Sequence, residues 1–264
     1  MLYFRLSYDD GVLATERRLL LIDEINRSGR VINSEIAVRL GVSEVTIRAD
    51  LDELERHGRV TRTHGGAVAV NPTFAVVGFE VRVATNRDSK RRIALAAASY
   101  IKSNQTVIFD AGSTVHYLAL MMPEITNLTV FTPGISIAQD LLSVEGVETH
   151  LLGGRVDRDW LGTVGTPREQ GIEELIVQTL FLGAHGVDKD LDIVDLSQDL
   201  ALNKLQFARR ARSIVLMVDS SKWIQPGSSK VMPVERVDVV ITDSGVPRDI
   251  RQQLEKLDVE LIVV

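Results

Sequence analysis

Residues 43–66 constrain the fold more than any other stretch, because they predict a capped helix followed directly by a basic β-hairpin. Ser43 is suited to cap the helix, since its hydroxyl can accept a hydrogen bond from the first turn. Ile47, Leu51 and Leu54 recur at i, i+4 and i+7, so they share the helix face that points to a core. A helix joined in this way to a hairpin is the layout of a helix-turn-helix with a wing.

Two helical patterns precede this segment. The first is predicted to run from Thr15, as its cap, to about Ser28, and Asn33 is predicted to cap a shorter second helix. Gly41 follows that helix, where a residue in the left-handed conformation would end it sharply. A short helix, a glycine turn and a helix exposed at its N-terminal end are what reading of the DNA major groove requires. We therefore predict a winged helix-turn-helix DNA-binding domain over residues 14–70.

Exposed polar residues at the start of the third helix and in the hairpin are candidates for DNA contacts. The first two turns of that helix leave Glu44, Thr46 and Arg48 facing outward. The hairpin residues suited to hold phosphates or to enter the minor groove are Arg59, Arg62 and His64. The alternative for this domain is a small three-helix module that binds protein or forms a dimerisation cap.

The charge distribution bears on the nucleic-acid prediction. The 264-residue chain carries a net charge of −6, which by itself argues against a nucleic-acid partner. Residues 14–70, however, hold nine basic and nine acidic side chains. All nine basic residues are arginine, which suits bidentate contacts with phosphate and guanine. The acidic excess therefore lies outside the predicted DNA-binding domain.

Composition also limits the location and the chemistry. The chain has no cysteine, which excludes disulfides and thiolate metal sites. No apolar run approaches the ~20 residues that span a bilayer, and the N-terminus lacks the pattern of a secretory signal. These features predict a cytoplasmic protein with no membrane partner.

Strand and helix patterns alternate from Lys90 onward. The preceding residues 71–89 show little periodicity and are predicted to be a linker. The strand-like runs are residues 106–109, 128–132, 148–152, 179–182, 214–218, 237–242 and 260–263. The helical patterns are residues 90–101, 114–122, 135–143, 167–178, 200–212 and 248–257. Such alternation predicts a larger C-terminal α/β domain over residues 90–264, with a mainly parallel sheet covered on both faces.

Four loops at the predicted carboxyl ends of strands are candidates for a ligand site, because parallel sheets bind ligands there. They are residues 110–114, 153–155, 183–188 and 219–222. Together they offer glycines, hydroxyls and cations that suit a phosphorylated polar ligand, although plain turn chemistry is the alternative for each loop. The chain lacks both glycine-rich nucleotide motifs, any metal-ligand spacing and an evident His-Ser-Asp set, so we predict no cofactor and no metal.

Short motifs in both regions closely resemble the DeoR family of bacterial transcriptional regulators. In the N-terminal region they are Glu16-Arg-Arg18, Gly41-Val-Ser-Glu-Val-Thr-Ile-Arg48, Asp50-Leu51 and Arg62-Thr-His-Gly-Gly66. In the C-terminal region they are Asp110-Ala-Gly-Ser-Thr114, Leu152-Gly-Gly-Arg155, Val164-Gly165, Phe181-Leu-Gly-Ala184 and Asp219-Ser-Ser-Lys222. The resemblance covers nearly all of the chain beyond residue 14. It implies a C-terminal sensor of phosphorylated sugars, similar in fold to ribose-5-phosphate isomerase.

The residue patterns and the resemblance together indicate the residues of both sites. Those expected at the DNA interface are Arg17, Ser43, Glu44, Val45, Thr46, Arg48, Arg59, Arg62, His64 and Gly65. Those expected to bind an effector are Asp110, Ala111, Gly112, Ser113, Thr114, Thr132, Gly153, Gly154, Arg155, Trp160, His185, Gly186, Lys204 and Lys222. By this resemblance residues 112–114 bind phosphate, the two lysines supply charge, and Asp110, Arg155 and His185 face the sugar hydroxyls.

Three places depart from the family pattern. Ala49 stands where the family usually has a second arginine, so Arg48 is expected to carry more of the phosphate affinity. Pro133 and Gly134 replace residues that include an amide able to bond the ligand. Trp160 stands near a usual threonine and could stack on a sugar ring, narrow the pocket or pack at a subunit contact. We therefore expect an effector unlike the family's commonest ones.

These expectations describe a DNA-binding transcriptional regulator and not an enzyme. We predict a repressor of a carbohydrate-utilisation operon that binds double-stranded DNA as a homo-oligomer and responds to a phosphorylated sugar. One alternative is an isomerase-like enzyme of sugar phosphates with an appended DNA-binding domain, in which Asp110 or Asp219 acts as general base. The other is an activator.

Overall fold

The computed structural model describes residues 14–28, 30–56, 60–69, 78–165 and 171–264. The chain divides into two compact units, Met1–Val77 and Gly78–Val264. No helix within these described ranges is long and apolar enough to cross a membrane.

The described part of the N-terminal unit contains three helices and a small antiparallel sheet. Its helices are α1 (Ala14–Ser28), α2 (Asn33–Leu40) and α3 (Glu44–Arg56). Its strands are β1 (Arg30–Ile32), β2 (Val60–Thr63) and β3 (Gly66–Ala69), in the order β1-β3-β2. The predicted winged helix-turn-helix is confirmed, and β1, which sequence patterns did not indicate, extends the wing to three strands.

The turn between α2 and α3 has the predicted chemistry. Gly41 ends α2 in the left-handed conformation, with φ of 68°. Ser43 caps α3, since its Oγ accepts a hydrogen bond from the N–H of Thr46 at 3.1 Å. The expected core face is buried as well, with Ile47 and Leu51 fully inaccessible. These contacts fix the start of α3 at the surface.

Two predicted caps are wrong. Asn33 does not cap α2, because β1 runs directly into the helix and the extended Ile32 occupies the cap position. The side chain of Asn33 is buried, and its backbone N–H donates to the carbonyl oxygen of Gly65 at 2.8 Å. Thr15 lies inside α1, which begins at Ala14.

The C-terminal unit is built on a seven-stranded parallel sheet in the order β15-β14-β12-β9-β4-β5-β6. In chain order the strands are β4 (Thr106–Phe109), β5 (Leu128–Thr132), β6 (Val147–Leu151), β9 (Val177–Leu182), β12 (Ala211–Met217), β14 (Val239–Thr242) and β15 (Glu260–Val263). The helices are α4 (Phe79–Ala84), α5 (Arg87–Ala98), α6 (Ser113–Leu120), α7 (Ile135–Leu141), α8 (Gln198–Arg210) and α9 (Arg248–Leu254). The predicted α/β class with a parallel sheet is confirmed.

Burial on both faces of the sheet explains the continuous apolar runs in its strands. In β4, Val107 and Phe109 belong to one apolar cluster, whereas Ile108 belongs to the cluster on the other side. In β9, Phe181 and Leu180 divide between the same two clusters. Because these central strands are parallel, their carboxyl ends lie at the same edge of the sheet.

Short antiparallel strands, which the sequence patterns missed, lie beside the main sheet. A hairpin joins β7 (Arg155–Asp157) to β8 (Gly162–Val164), and a second sheet has the order β10-β11-β13. The strands of that sheet are β10 (Gly186–Val187), β11 (Asp192–Asp195) and β13 (Ser229–Pro233).

Two boundary predictions need correction. The described part of the predicted helix 167–178, residues 171–176, forms turns, and β9 already begins at Val177. The second half of the predicted linker, residues 78–89, is largely helical and belongs to the C-terminal unit. The reason is packing: Phe79 and Val81 are buried there, and Tyr117 Oη donates to the Val83 carbonyl at 3.0 Å.

Candidate functional site

The first two turns of α3 present a mixed polar and apolar surface. Arg48 Nη2 lies 3.0 Å from Glu44 Oε2 one turn earlier, and both side chains are exposed. Val45 is 71% exposed between them, and the partly exposed Thr46 places its hydroxyl 2.8 Å from Ser43 Oγ. An exposed pair at i,i+4 contributes only ~0.2–0.5 kcal/mol, so Arg48 can leave Glu44 for a phosphate or a base edge at little cost.

The wing contains two of the expected contacts at its tip and one that is turned inward. His64 and Gly65 are exposed in the turn between β2 and β3. Arg62 instead donates from Nε to Asp52 at 2.9 Å and from Nη1 to the Gly66 carbonyl at 2.5 Å. In the free protein Arg62 thus connects the wing to α3, and its phosphate contact stays a prediction. Arg59 lies outside the described residues.

Arg17, also expected at the DNA interface, lies largely inside the N-terminal unit. Its Nε contacts Asp50 Oδ2 at 2.5 Å, and its side chain is only 11% exposed. Arg18 Nε contacts the other carboxylate oxygen of Asp50 at 2.9 Å. Since Asp50 is buried in α3, these contacts hold α1 against α3.

Lys204 of α8 is the centre of a buried charge cluster at the carboxyl ends of the strands. Its Nζ lies 2.8 Å from Asp195 Oδ2 and 3.4 Å from Asp110 Oδ2, and it donates to the Gly183 carbonyl at 2.9 Å. The Gly183 N–H donates back to Asp110 Oδ2 at 3.1 Å. Burial opposes the charge of Lys204, but the two carboxylates outweigh it and raise the lysine's pKa. Sequence analysis missed Asp195, which ends the four-residue strand β11.

A second group of polar contacts joins α4 and α5 to the loop after β12. Asp219 Oδ1 accepts a hydrogen bond from Asn86 Nδ2 at 2.9 Å. Lys90 Nζ lies 4.0 Å from Asp219 Oδ2 and also donates to the backbone carbonyls of Arg82 and Thr85. Burial lowers the pKa of Lys90 to about 8, although Asp219 opposes the shift. Asn86 and Lys90 escaped sequence analysis because they fall in the stretch taken as a linker or just beyond it, whereas Asp219 belongs to a predicted loop.

Arg82 and Trp160 form a stacked pair next to Lys204. The guanidinium carbon of Arg82 lies 3.8 Å from the indole centroid, and Nη2 donates to the Asp159 carbonyl at 3.1 Å. Lys204 Nζ is 5.5 Å from the same ring. Burial lowers the pKa of Arg82 to about 10, with Asp195 opposing most strongly. The side chain of Trp160 is only 7% exposed in a single chain, which argues against the subunit-contact alternative.

Lys222 and His185 are influenced by the same charged side chains, Arg82, Asp195 and Lys204. Burial lowers the pKa of Lys222, with Asp219 opposing the shift and Arg82 adding to it. Burial also lowers the pKa of His185 to about 4, and Lys222 lowers it further. The imidazole is therefore neutral near pH 7, beside cations that would attract an anion.

The loop between β4 and α6 packs closely against the cluster. Ser113 and Thr114 are buried, and a Cβ added to Gly112 would lie 3.3 Å from Gly183 Cα. A larger residue at position 112 would therefore crowd the loop after β9. Thr132 is also buried, but its Oγ1 accepts a hydrogen bond from the Gly134 N–H at 3.0 Å, within its own loop.

Some expected effector residues are not brought to the Lys204 cluster. Gly153 and Gly154 are exposed, and Arg155 forms an exposed ion pair with Asp199 at 3.1 Å. Gly186 lies in β10, where an added Cβ would meet Gln225. Ala111 does reach the cluster, since it lines the small cavity beside Trp160. In the described ranges, no group of three or more His, Asp or Glu side chains could hold a metal ion.

An accessible helix-turn-helix with a wing, and a separate α/β unit with clustered cations at its strand ends, together define a DNA-binding regulator with a sensor domain. Family profiles agree with both parts. Residues 17–73 match the DeoR-like helix-turn-helix domain, and residues 85–244 match the DeoR C terminal sensor domain. The chain belongs to the DeoR family of transcriptional regulators.

Full-length relatives support this membership. The transcriptional regulator GlpR of Haloferax volcanii is 31% identical over 252 residues, which cover 95% of this chain and 98% of that protein. The glycerol-3-phosphate regulon repressor of Escherichia coli K12 is 28% identical over 94% of this chain and 98% of its own length.

Solved structures give weaker matches. One is the sorbitol operon regulator SorC of Klebsiella pneumoniae, with a TM-score of 0.41 at 10% identity over 94% of this chain and 100% of that one. A ribose-5-phosphate isomerase in complex with phospho-erythronic acid matches 53% of this chain and 55% of its own, at 14% identity and a TM-score of 0.39. Similarity at this level carries no information about the ligand or the activity of this chain.

Proposed function

We propose that this regulator represses a carbohydrate-utilisation operon and that a phosphorylated sugar or related metabolite controls its operator binding. The observation that carries the effector class is the pair Arg82 and Lys222. Burial lowers the pKa of both cations, and among the described residues neither side chain forms a salt bridge. Cations held in this state favour an anionic ligand, and phosphate offers the oxygens that both can contact. The N–H groups at the start of α6 add donors on the same edge.

Replacement of Lys222 with alanine tests this assignment. Loss of a charge-assisted contact is expected to weaken binding of a phosphate ester about 10- to 100-fold, which calorimetry on the full chain can measure. Operator binding without effector should not change, and Lys189→Ala, at an exposed lysine, should leave both affinities unaltered. Loss of operator binding in Lys222→Ala would instead make Lys222 a structural residue.

For the DNA interface we propose that Glu44, Val45, Thr46 and Arg48 face the major groove. The tip of the wing, at His64 and Gly65, then lies against the sugar-phosphate backbone of the DNA. Because all of these side chains are accessible, α3 can enter a groove without rearrangement of its core.

Arg48→Ala is expected to weaken operator binding by about 1–3 kcal/mol if the guanidinium contacts a base, or to flatten the salt dependence by about one unit if it meets a phosphate. Fluorescence anisotropy on labelled operator at several salt concentrations separates the two cases. Arg251→Ala is a matched control, since Arg251 forms a similarly exposed i,i+4 pair with Glu255 in α9. Unchanged affinity and salt slope in folded Arg48→Ala would remove this residue from the interface.

We further propose that the protein is a cytoplasmic homo-oligomer whose sensor domain binds its ligand without converting it. A single helix-turn-helix gives modest affinity, so paired half-sites favour an oligomer. Asp110 already accepts from Gly183 and faces Lys204, which leaves it poorly placed as a general base. Conversion of pentose or hexose phosphates that Asp110→Asn abolishes would overturn the binding-only proposal.

Reporter expression with and without effector distinguishes a repressor from an activator.

A further inference from the structure

Trp160 contacts two of the cations at the carboxyl ends of the strands, Arg82 and Lys204. The guanidinium carbon of Arg82 lies 3.8 Å from the indole centroid, and Lys204 Nζ lies 5.5 Å from it. The cavity that remains beside the ring, lined by Asp110 and Asn203 among others, has a volume of about 10 Å³. This space holds about one water molecule and excludes a sugar.

The indole also covers the binding surface of Arg82. One guanidinium nitrogen, Nη2, is occupied by the Asp159 carbonyl, and the buried Nε has no hydrogen-bond partner among the described residues. A buried donor left unsatisfied in this way is unfavourable, and an anionic oxygen would satisfy it. While the ring stays in place, the cavity beside it is too small to admit a phosphate ester.

The segment that carries Trp160 is suited to such a movement. It forms the turn of the β7–β8 hairpin, whose strands have three residues each. Leu161, the next residue, has φ of 51°, a conformation that a branched side chain adopts at a cost. The ring packs in a small cluster with Val164 and Leu200, separate from the two main apolar clusters of the unit. Displacement of the ring therefore leaves the main core intact.

We propose that Trp160 is a built-in plug of the effector site, which fills the ligand position in the free protein and must swing out before a phosphate ester can reach Arg82. This inference rests on the proposed effector class. It distinguishes the indole from a stacking platform, because a platform would leave room for a sugar beside the ring, whereas the cavity there holds about one water molecule. Binding is then reduced by the fraction of time that the plug is open.

Binding measurements on full-length Trp160→Ala test the plug. Inorganic phosphate, glycerol 3-phosphate and glucose 6-phosphate are titrated into wild type, Trp160→Ala and Trp160→Phe by calorimetry. We expect the alanine variant to bind the esters about tenfold tighter or more, and the phenylalanine variant to stay closer to wild type, since it keeps an aromatic ring over Arg82. Emission of Trp223, which is buried and donates to Thr242 Oγ1 at 3.1 Å, reports whether the alanine variant is folded.

A second measurement follows the ring itself. In Trp223→Phe, Trp160 is the remaining tryptophan, and acrylamide should quench it weakly in free protein and more strongly at saturating ester. Ester binding by Trp160→Ala that equals or is weaker than that of wild type overturns the plug alone. Strong acrylamide quenching of Trp160 in the free protein, or weaker quenching at saturating ester, overturns it as well. Absence of phosphate or ester binding in every variant overturns the plug together with the proposed effector class.

Discussion

Replacement of Lys204 with methionine is expected to lower the free energy of unfolding of the C-terminal unit by about 3–5 kcal/mol. The ammonium lies 2.8 Å from Asp195 and 3.4 Å from Asp110, and all three side chains are buried. Methionine fills a similar volume without the charge. Two buried carboxylates then face each other without the cation that lies between them, which is the costly way to break a buried ion pair.

The loss should depend on pH. Burial raises the pKa of Asp110 in the native protein, and Lys204 is the strongest influence that lowers it. Without the lysine, the folded-state pKa rises further above its unfolded value. The contribution of Asp110 to the stability of the variant is then fully present below the unfolded pKa of about 4 and is lost as the pH rises through the folded pKa. The difference from wild type should therefore widen with increasing pH.

Denaturant unfolding followed by tryptophan emission measures this effect selectively, because both tryptophans, Trp160 and Trp223, belong to the C-terminal unit. Lys189→Met, in the exposed turn before β11, is the control and should unfold like wild type. Adding Asp195→Asn to Lys204→Met should recover part of the loss, since one of the two opposed carboxylates is neutralised. A loss below about 1 kcal/mol would contradict a buried charge cluster of this strength.

The main elements could be predicted from sequence because long apolar patterns report burial directly. Strands 106–109 and 128–132 begin and end as predicted, since both faces of an inner parallel strand are covered. The edge strand 260–263 also has the predicted bounds, although it is only partly buried. The six-residue α4 could not be found in this way. It has fewer than two turns, too few to show a helical period, and packing against α6 decides its structure.

Partners distant in sequence explain the rest of the site. A sequence shows that Arg17 and Arg62 carry charge, but not that Asp50 and Asp52 face them across the unit. Lys204 was found through the family resemblance, whereas Arg82 and Asp195 come from segments without a motif or a clear period. Their roles appear only when the sheet brings the strand ends together.

Loss of the buried carboxylate of Asp50 is expected to be the most damaging single change in the N-terminal unit. Asp50→Ala takes away the group that faces both Arg17 and Arg18, at 2.5 and 2.9 Å, and Arg17 is almost completely covered. Removing one partner of a buried pair costs about 3–5 kcal/mol. A core of fewer than 80 residues supplies about that much stability in total. We therefore expect the unit to unfold and operator binding to be lost.

The effect should stay within that unit. Far-UV circular dichroism should show a loss of helix in Asp50→Ala, whereas tryptophan-detected unfolding and phosphate ester binding should remain as in wild type. Asp52→Ala is the matched control two residues along α3, because Asp52 is 61% exposed and its pair with Arg62 contributes about 0–1 kcal/mol. Operator affinity of Asp50→Ala within about threefold of wild type, less than 1 kcal/mol, would show that the two arginines do not depend on this carboxylate.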